Sequence, residues 1–405
     1  MTSLRPTLLA AGALIGALAL SGCVANAPDA AGTAASGQSG TAAGAGGGSL
    51  TVAITDDACD VSAATIGSGT VTFSLTNNGT VRNEFEILAE DKLRIVGERE
   101  NLGPGTTVDY TVVLEPGTYY TACKKNMVGD LVGAAAFTVT DSGVAVAVSE
   151  DDQALIDQAV TNYTAYVKDQ AGQLLTKTQE FAALYSSGDV DGAKAAYAPT
   201  RMYYERIEPT AEAFGDIDPA LDLRETDWQD EGSEGTWTGW HAIEKDLWRP
   251  EGYAGVTDQE RQDLADQLVA DTQKLYDLVY SADFSISLDD ISNGAIGLLE
   301  EVATSKITGE EEAFSHTDLW DFAANVEGAK VAYGNVQDIA EAKDPQLASQ
   351  ISAAFDAMDA ELATFEDGDG YVLYDTVDDA GRKKLSDTVN ALRLPLAQLT
   401  AAIVQ

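Results

Sequence analysis

The hydrophobic pattern of this 405-residue chain changes its period once, near residue 149, and this change limits the folds open to it. Before that point, short segments alternate β-branched or aromatic residues with polar ones, at 50–54, 71–75, 84–88, 107–112 and 136–139. Turn sequences rich in glycine, asparagine and proline separate these segments. Regular alternation of short strands and turns is typical of a sandwich. We therefore predict an all-β sandwich for residues 49–141.

Beyond residue 149 the apolar residues recur at intervals of three, four or seven, which is the period of an amphipathic helix. Two capping boxes are predicted to start helices, one at Thr257 with Glu260 and the other at Thr308 with Glu311. About 255 residues of such sequence can bury a large core. We predict an all-α helix bundle domain for residues 149–405, with enough helices for two four-helix bundles.

The amino terminus has the features of a targeting segment. Arg5 precedes an apolar run at 8–20, and the run ends in Leu20-Ser21-Gly22-Cys23, which resembles the lipobox of bacterial lipoproteins. The run is too short to span a bilayer comfortably. We predict a signal peptide at residues 1–22, lipidation of Cys23, and a flexible Ala/Gly/Ser linker at 23–48. The protein is then anchored to the cell membrane on its periplasmic or cell-surface side.

Three cysteines lie in the chain, and lipidation of Cys23 leaves Cys59 and Cys123 as one pair. An oxidising compartment permits a disulfide between them. The alternative is that both sulfurs are soft metal ligands, since Met127 follows Cys123 by four residues, a spacing found in copper proteins. The sequence alone leaves both alternatives open.

The formal net charge is −42, from 24 basic and 66 acidic side chains. Such a surface repels nucleic acid and anionic lipid headgroups, so we expect no nucleic-acid partner. An acidic surface attracts cations, but it also serves solubility alone.

The two histidines, His241 and His316, both lie in the predicted helical domain. The β domain has none, so it cannot form a blue-copper centre of the usual two-histidine kind by itself. The sequence contains no Gly-x-Ser-x-Gly motif, so it gives no indication of a serine hydrolase. His241 and Glu244 are three residues apart on a predicted helix, so they share a face and form a candidate ligand pair.

A second pair at helical spacing, Glu205 and Glu208, precedes this segment. These carboxylates are candidate metal ligands as well. The alternative is a solvated helix face or a salt bridge with Arg201 or Arg206. His316 is predicted to have a structural or supporting role, because Trp320 and Phe322 nearby indicate a packed position.

The segment Gly239-x-His241-x-x-Glu244 resembles the Gly-x-His-x-x-Glu motif of the imelysin family. Further blocks in the helical domain, at 197–209, 300–307 and 315–328, are similar to the EfeO branch of that family. Segments 84–88, 98–101 and 114–123 are similar to the cupredoxin-like domain of the same branch. The resemblance covers residues 50–405 and implies a cupredoxin-like sandwich followed by an imelysin-like helical domain.

The resemblance also implies a set of metal ligands. Asp222 would join Glu205, Glu208, His241 and Glu244 around iron, as Fe²⁺ or Fe³⁺, in the helical domain. In the β domain it implies Glu84 and Glu98 as oxygen ligands, and copper is a candidate there together with Cys59 and Cys123. Histidine and carboxylates suit iron, zinc or copper(II) alike, so ligand chemistry alone does not select the metal.

The function implied is that of an extracytoplasmic iron-binding component of an uptake system, which passes iron to a membrane permease and works with a haem-dependent (DyP-type) peroxidase. We expect no enzymatic activity. A metallopeptidase is the first alternative, although Ala242 occupies the place that a catalytic glutamate takes in His-Glu-x-x-His. A surface lipoprotein with a structural role is the second.

Overall fold

The computed structural model describes residues 47–90, 92, 95–126, 131–143, 150–230, 232, 235–282 and 284–404. The predicted signal peptide, the lipidation site Cys23 and nearly all of the predicted linker lie outside these residues. Met127 lies outside them too. Among the described residues, no helix combines the length and the apolar character needed to cross a bilayer.

The β domain consists of two sheets. Its strands are β1 (Gly48–Thr55), β2 (Ala58–Val61), β3 (Thr65–Gly67), β4 (Gly69–Asn77), β5 (Asn83–Leu88), β6 (Ile95–Leu102), β7 (Thr107–Leu114), β8 (Gly117–Lys125) and β9 (Leu131–Thr140). One sheet has the order β2-β1-β4-β7, and the other has the order β3-β9-β8-β5-β6. The five segments predicted from alternation all fall inside observed strands, because a half-buried strand exposes every second side chain.

Apolar side chains from both sheets form the core of this sandwich. Phe73 of β4 packs against Phe85 of β5 and Phe137 of β9, with ring centroids 5.1 and 5.9 Å apart. Cys59 of β2 and Cys123 of β8 form a disulfide that joins the two sheets. Of the two alternatives for this pair, the structure therefore has the disulfide, and disulfide sulfurs are not the thiolates that bind metals.

The helical domain contains α1 (Glu150–Ser187), α2 (Val190–Glu205), α3 (Ile217–Asp222), α4 (Glu225–Asp230), α5 (Trp240–Trp248), α6 (Asp258–Val279), α7 (Leu288–Thr304), α8 (Asp318–Lys343), α9 (Pro345–Leu362), α10 (Asp379–Leu396) and α11 (Leu399–Ile403). Short 3-10 segments lie at Glu208–Phe214, Lys306–Thr308, Ala363–Phe365 and Tyr374–Thr376, and a two-stranded ribbon pairs β10 (Glu366–Asp367) with β11 (Gly370–Tyr371).

The long helices pack as two groups that share α8. Helix α1 packs against α2, α6 and α8, while α7, α8, α9 and α10 each pack against the next to form a ring. The predicted fold class, a β sandwich followed by an all-α bundle domain, is confirmed. The two predicted bundles are not separate, because the central helix α8 is buried along much of its length and contributes to both.

The predicted helix starts have opposite outcomes. The capping box of Thr257 and Glu260 is confirmed at the start of α6. The one at Thr308 and Glu311 is wrong, because no helix begins there and residues 311–315 form turns. The Glu311 carboxylate instead lies 3.3 Å from Arg224 Nη1 and 3.8 Å from His241 Nε2, both distant in the chain.

The β domain contacts the helical domain through α7. The backbone N–H of Val113 donates to Asp289, and the side chain of Asn293 donates to the carbonyl oxygen of Thr111. Arg99 of β6 forms a buried ion pair with Glu300. These contacts place β6 beside the helical domain.

Candidate metal centre

Helix α5 presents the Gly-x-His-x-x-Glu motif, and Gly239 sets its position. Gly239 has φ +87°, which favours glycine, and a Cβ atom there would lie 2.3 Å from the carbonyl oxygen of Leu221. The start of α5 can therefore approach the end of α3 closely. As a result His241, two residues into the motif, lies beside Asp222, the last residue of α3.

His241 is almost completely buried among carboxylates. Its Nε2 atom lies 3.3 Å from Asp222 Oδ1 and 3.8 Å from Glu311 Oε1, and its Nδ1 atom lies 3.5 Å from Glu244 Oε2. Neither ring nitrogen has a hydrogen-bond partner, although the side chain is only 2% exposed. Buried polar atoms without partners are rare and indicate an additional ligand or a strained site.

Two groups of convergent ligand atoms meet at this imidazole. Asp222, His241 and Glu311 form one group, and His241, Glu244 and Glu312 form the other; within each group the candidate atoms lie within 4.8 Å of one another. One nitrogen and several carboxylate oxygens in such a space can coordinate a divalent or trivalent cation. Trp240, beside the motif, packs against Phe181 and Tyr197 in the core.

The loop at 310–317 brings Glu311 and Glu312 to the site. Glu244 Oε1 accepts hydrogen bonds from the backbone N–H groups of Phe314 and Ser315, at 2.9 and 2.6 Å. At the start of α8, Asp318 accepts a hydrogen bond from the backbone N–H of Glu312. Glu244 thus has two roles, because one oxygen anchors the loop and the other faces His241.

Arg201 of α2 lies at the centre of these acidic groups. Its guanidinium, which is fully buried, pairs with Glu205 and Asp222, lies 2.7 Å from Glu312 Oε1 and contacts Asp321 at 3.4 Å. Carboxylates from α2, α3, α8 and the 310–317 loop therefore converge on one cation. A guanidinium can do this because it has five N–H donors in a fixed plane.

Glu205 and Glu208 both pair with Lys306. The Lys306 Nζ atom lies 3.2 Å from Glu205 Oε2 and 2.8 Å from both carboxylate oxygens of Glu208. Asn325 also donates to both glutamates. Neither glutamate belongs to the ligand groups around His241 among the described residues. Glu205 therefore forms the salt bridge with Arg201 that was the alternative to a ligand role. Lys306, which pairs with both glutamates, was not predicted.

Burial and nearby cations divide the carboxylates into two classes. Burial raises the pKa of Asp222, Glu244 and Glu311, but neighbouring cations lower it by more. The pKa of each carboxyl group therefore lies below its usual value. These cations are Arg201 for Asp222, His241 for Glu244 and Lys306 for Glu311. The carboxylates nearest to His241 are therefore ionised. Burial raises the pKa of Glu312 and Asp321 well above the usual range, and Glu312 belongs to the second ligand group at the ring.

His241 itself is a strong base. Burial and Arg201 lower its pKa, but the adjacent carboxylates of Asp222 and Glu244 outweigh them and raise the pKa from 6.5 to about 9. In the metal-free protein, the imidazolium therefore stabilises the fold fully below about pH 6.5, and this contribution is lost as the pH rises through about 9.

The β domain contains a separate acidic cluster of Glu84, Glu86 and Glu98. Strand register explains it, since Glu84 lies opposite Lys124 and Glu86 opposite Glu98. Lys124 pairs with Glu84 and Glu86 at 3.1 and 2.8 Å. Burial raises the pKa of Glu84 and Glu98 well above the usual value.

The ligand type of this cluster does not favour copper. The described residues of the domain offer carboxylate oxygens, the disulfide removes both thiols, and the domain has no histidine. Oxygen-only sites suit hard cations, whereas copper sites use softer sulfur or imidazole ligands. The copper expectation therefore has no support in the described part of the chain.

The sequence interpretation missed Glu311 and Glu312 as neighbours of His241. Three consecutive glutamates at 310–312 were a possible signal, but the capping-box pattern at Thr308 gave Glu311 another explanation. The central positions of Arg201 and Lys306 were missed too, because a cation paired with several distant segments has no local pattern.

Comparison with known proteins places this chain in a family. A family model described as Imelysin, Peptidase_M75, matches residues 159–399, and a model of the cupredoxin-like domain matches residues 30–133. The "Iron uptake system component EfeO" of Escherichia coli K12 is 37% identical over 354 residues, which is 87% of this chain and 90% of the relative. The proteins of the same name from Escherichia coli O157:H7 and Shigella sonnei have the same identity and coverage.

The imelysin model covers more than half of the chain, including the motif at Gly239, His241 and Glu244. The EfeO relatives match across both domains in the same order. The chain therefore belongs to the imelysin family, in its EfeO branch, where a cupredoxin-like domain precedes the helical domain.

Proposed function

We propose that this protein binds iron at His241 and delivers it as the extracytoplasmic component of an iron uptake system. The observation that carries the proposal is a buried imidazole surrounded by ionised carboxylates. Neither of its ring nitrogens has a hydrogen-bond partner. The name of the relatives, iron uptake system component, supports iron as the cargo.

The ligands that we propose are His241, Asp222 and Glu311, with Glu244 on the other ring nitrogen. These three carboxylates are the ionised ones, so they can bind a cation without first losing a proton. Glu205 and Glu208, from the original prediction, are proposed to balance Lys306 rather than to bind the metal directly.

Binding is favoured over peptidase activity. Ala242 follows His241, so the position of the usual zinc-peptidase base lacks a carboxylate. His241 and Glu244 are also almost completely buried, which suits an enclosed ion better than a peptide chain.

Glu311→Gln is expected to lower iron affinity by about tenfold or more, because the amide keeps the shape of the side chain and removes a ligand charge. Glu310→Gln is the matched control. Both glutamates contact the same Arg224 nitrogen, at 3.3 and 3.2 Å, but Glu310 is exposed. Isothermal titration of the full-length protein with iron should show less than about a twofold change for the control. Equal affinities in the two variants would place the metal elsewhere.

The acidic cluster of Glu84, Glu86 and Glu98 is proposed as a second, hard-cation position. Three carboxylates converge there and two of them pair with Lys124, so protons or another cation must balance the excess charge. Iron titrations should therefore be analysed for two separate binding sites. The His241 site is the one that is lost in His241 variants.

The uptake system is proposed to include a membrane permease that receives the iron and a haem-dependent peroxidase, as the resemblance implies. A lipid anchor at Cys23 would keep the protein at the membrane, close to such a permease.

Cys23→Ser is expected to release the protein from the membrane, because the acylated residue is then absent. Fractionation of cells into membrane and soluble material measures this directly. Ser21→Ala, which keeps the cysteine, serves as the control and should stay in the membrane fraction. Unchanged membrane retention of Cys23→Ser would exclude the lipid anchor.

A further inference from the structure

Lys306 is a buried cation beside the proposed iron ligands. It begins the 3-10 segment after α7, and its side chain is 1% exposed. In addition to its contacts with Glu205 and Glu208, its Nζ atom lies 3.7 Å from Glu311 Oε1. Its ion pairs with Glu205 and Glu208 favour the charged ammonium form.

One oxygen atom connects Lys306 to the candidate metal centre. Glu311 Oε1 lies 3.7 Å from the ammonium nitrogen and 3.8 Å from His241 Nε2. Metal–oxygen bonds are about 2 Å long, so a cation bound by this oxygen would lie within about 6 Å of the ammonium group. At such a separation in a buried site, two positive charges repel each other strongly.

From these contacts, and on the basis of the proposed function, we propose that Lys306 weakens metal binding at His241 and discriminates against cations of higher charge. Its ammonium group lies beside the Glu311 carboxylate when no metal is present, and it repels a metal that binds to this carboxylate. The repulsion is proportional to the charge of the ion, so a trivalent ion is penalised more than a divalent one. A transport component benefits because the bound metal must also be released.

Arg201 lies equally close to this oxygen, with its Nη2 atom 3.7 Å from Glu311 Oε1, but it has a different role. Its guanidinium binds carboxylates from four segments and holds the walls of the site together. Lys306 contacts Glu205, Glu208 and Glu311, but Glu205 also pairs with Arg201 and Glu311 with Arg224. Removing the charge of Lys306 therefore leaves only Glu208 without a cationic partner among these three. Lys306 is thus the residue through which the effect of charge can be measured.

The test measures Zn²⁺ and Ga³⁺ affinities, by competition titration, at the site that His241→Ala removes in the full-length protein. These ions have no redox chemistry under the conditions used. Lys306→Met should strengthen Zn²⁺ binding by at least about tenfold, and Ga³⁺ binding by at least about thirtyfold, because the logarithmic gains should follow the charges two and three. Lys306→Gln should act in the same direction while keeping a hydrogen-bond donor beside Glu208, and it is the more readily folded variant.

Lys330→Met is the control for net charge, since Lys330 is partly exposed on α8 and pairs with Asp359. It should change either affinity by less than about twofold. Equal gains for both ions, or no gain with circular dichroism unchanged, would overturn the role of Lys306. If the wild-type protein binds neither ion nor iron at the His241 site, the proposed function fails instead.

Discussion

His241→Ala is expected to lower iron affinity in the helical domain by a factor of roughly ten to a hundred or more. The variant removes the only nitrogen ligand in the proposed set, which otherwise consists of carboxylates. It should remain folded, because Asp222 and Glu244 keep other partners in Arg201 and in the 310–317 loop. Iron titration of the full-length protein, with circular dichroism of both proteins, measures the effect.

The pH dependence of the same titration separates a ligand role from a packing role. His241 must lose its proton to bind a metal, so wild-type affinity should rise with pH up to about 9, where the imidazolium titrates. This range lies above the value near 6 expected for an ordinary histidine. The slope should decrease by about one proton per metal in His241→Ala. A folded variant with undiminished affinity and an unchanged slope would show that His241 is not a ligand.

Arg201→Met is expected to destabilise the protein by about 3–5 kcal/mol, the typical cost of removing one partner from a buried ion pair. The substitution leaves Glu205, Asp222 and Glu312 without their shared cation in a buried site. Protons can replace part of the lost charge, so the loss should be smaller at low pH. Urea unfolding followed by circular dichroism measures the free energy of unfolding.

Arg206→Met is the matched control, since Arg206 lies five residues later and pairs with Glu327 at a partly exposed position. Loss of this pair should cost about 0–1 kcal/mol. If the two variants lose similar stability, the acidic groups around Arg201 do not depend on its charge.

The division into two domains follows from the sequence, because alternation with period two and recurrence with period 3.6 are local properties. Phe73 and Phe85 could be assigned to a sandwich core on this basis. The turn of helix between His241 and Glu244 is local too, so their shared face was predictable. Even so, the local capping pattern at Thr308 and Glu311 misled, since no helix begins there and Glu311 contacts the distant Arg224 and His241.

What the sequence determined by itself was therefore the order of the domains, the pattern of strands and helices, the pairing of His241 with Glu244, and the family. The tertiary structure decided which distant groups surround that pair. Asp222 reaches His241 because Gly239 lets two chain segments approach, and Glu311 reaches it because Glu244 anchors a loop. The hydrogen bond that anchors this loop joins residues 71 positions apart in the chain. The energies that select such contacts, from burial and charge, have no local pattern in the sequence.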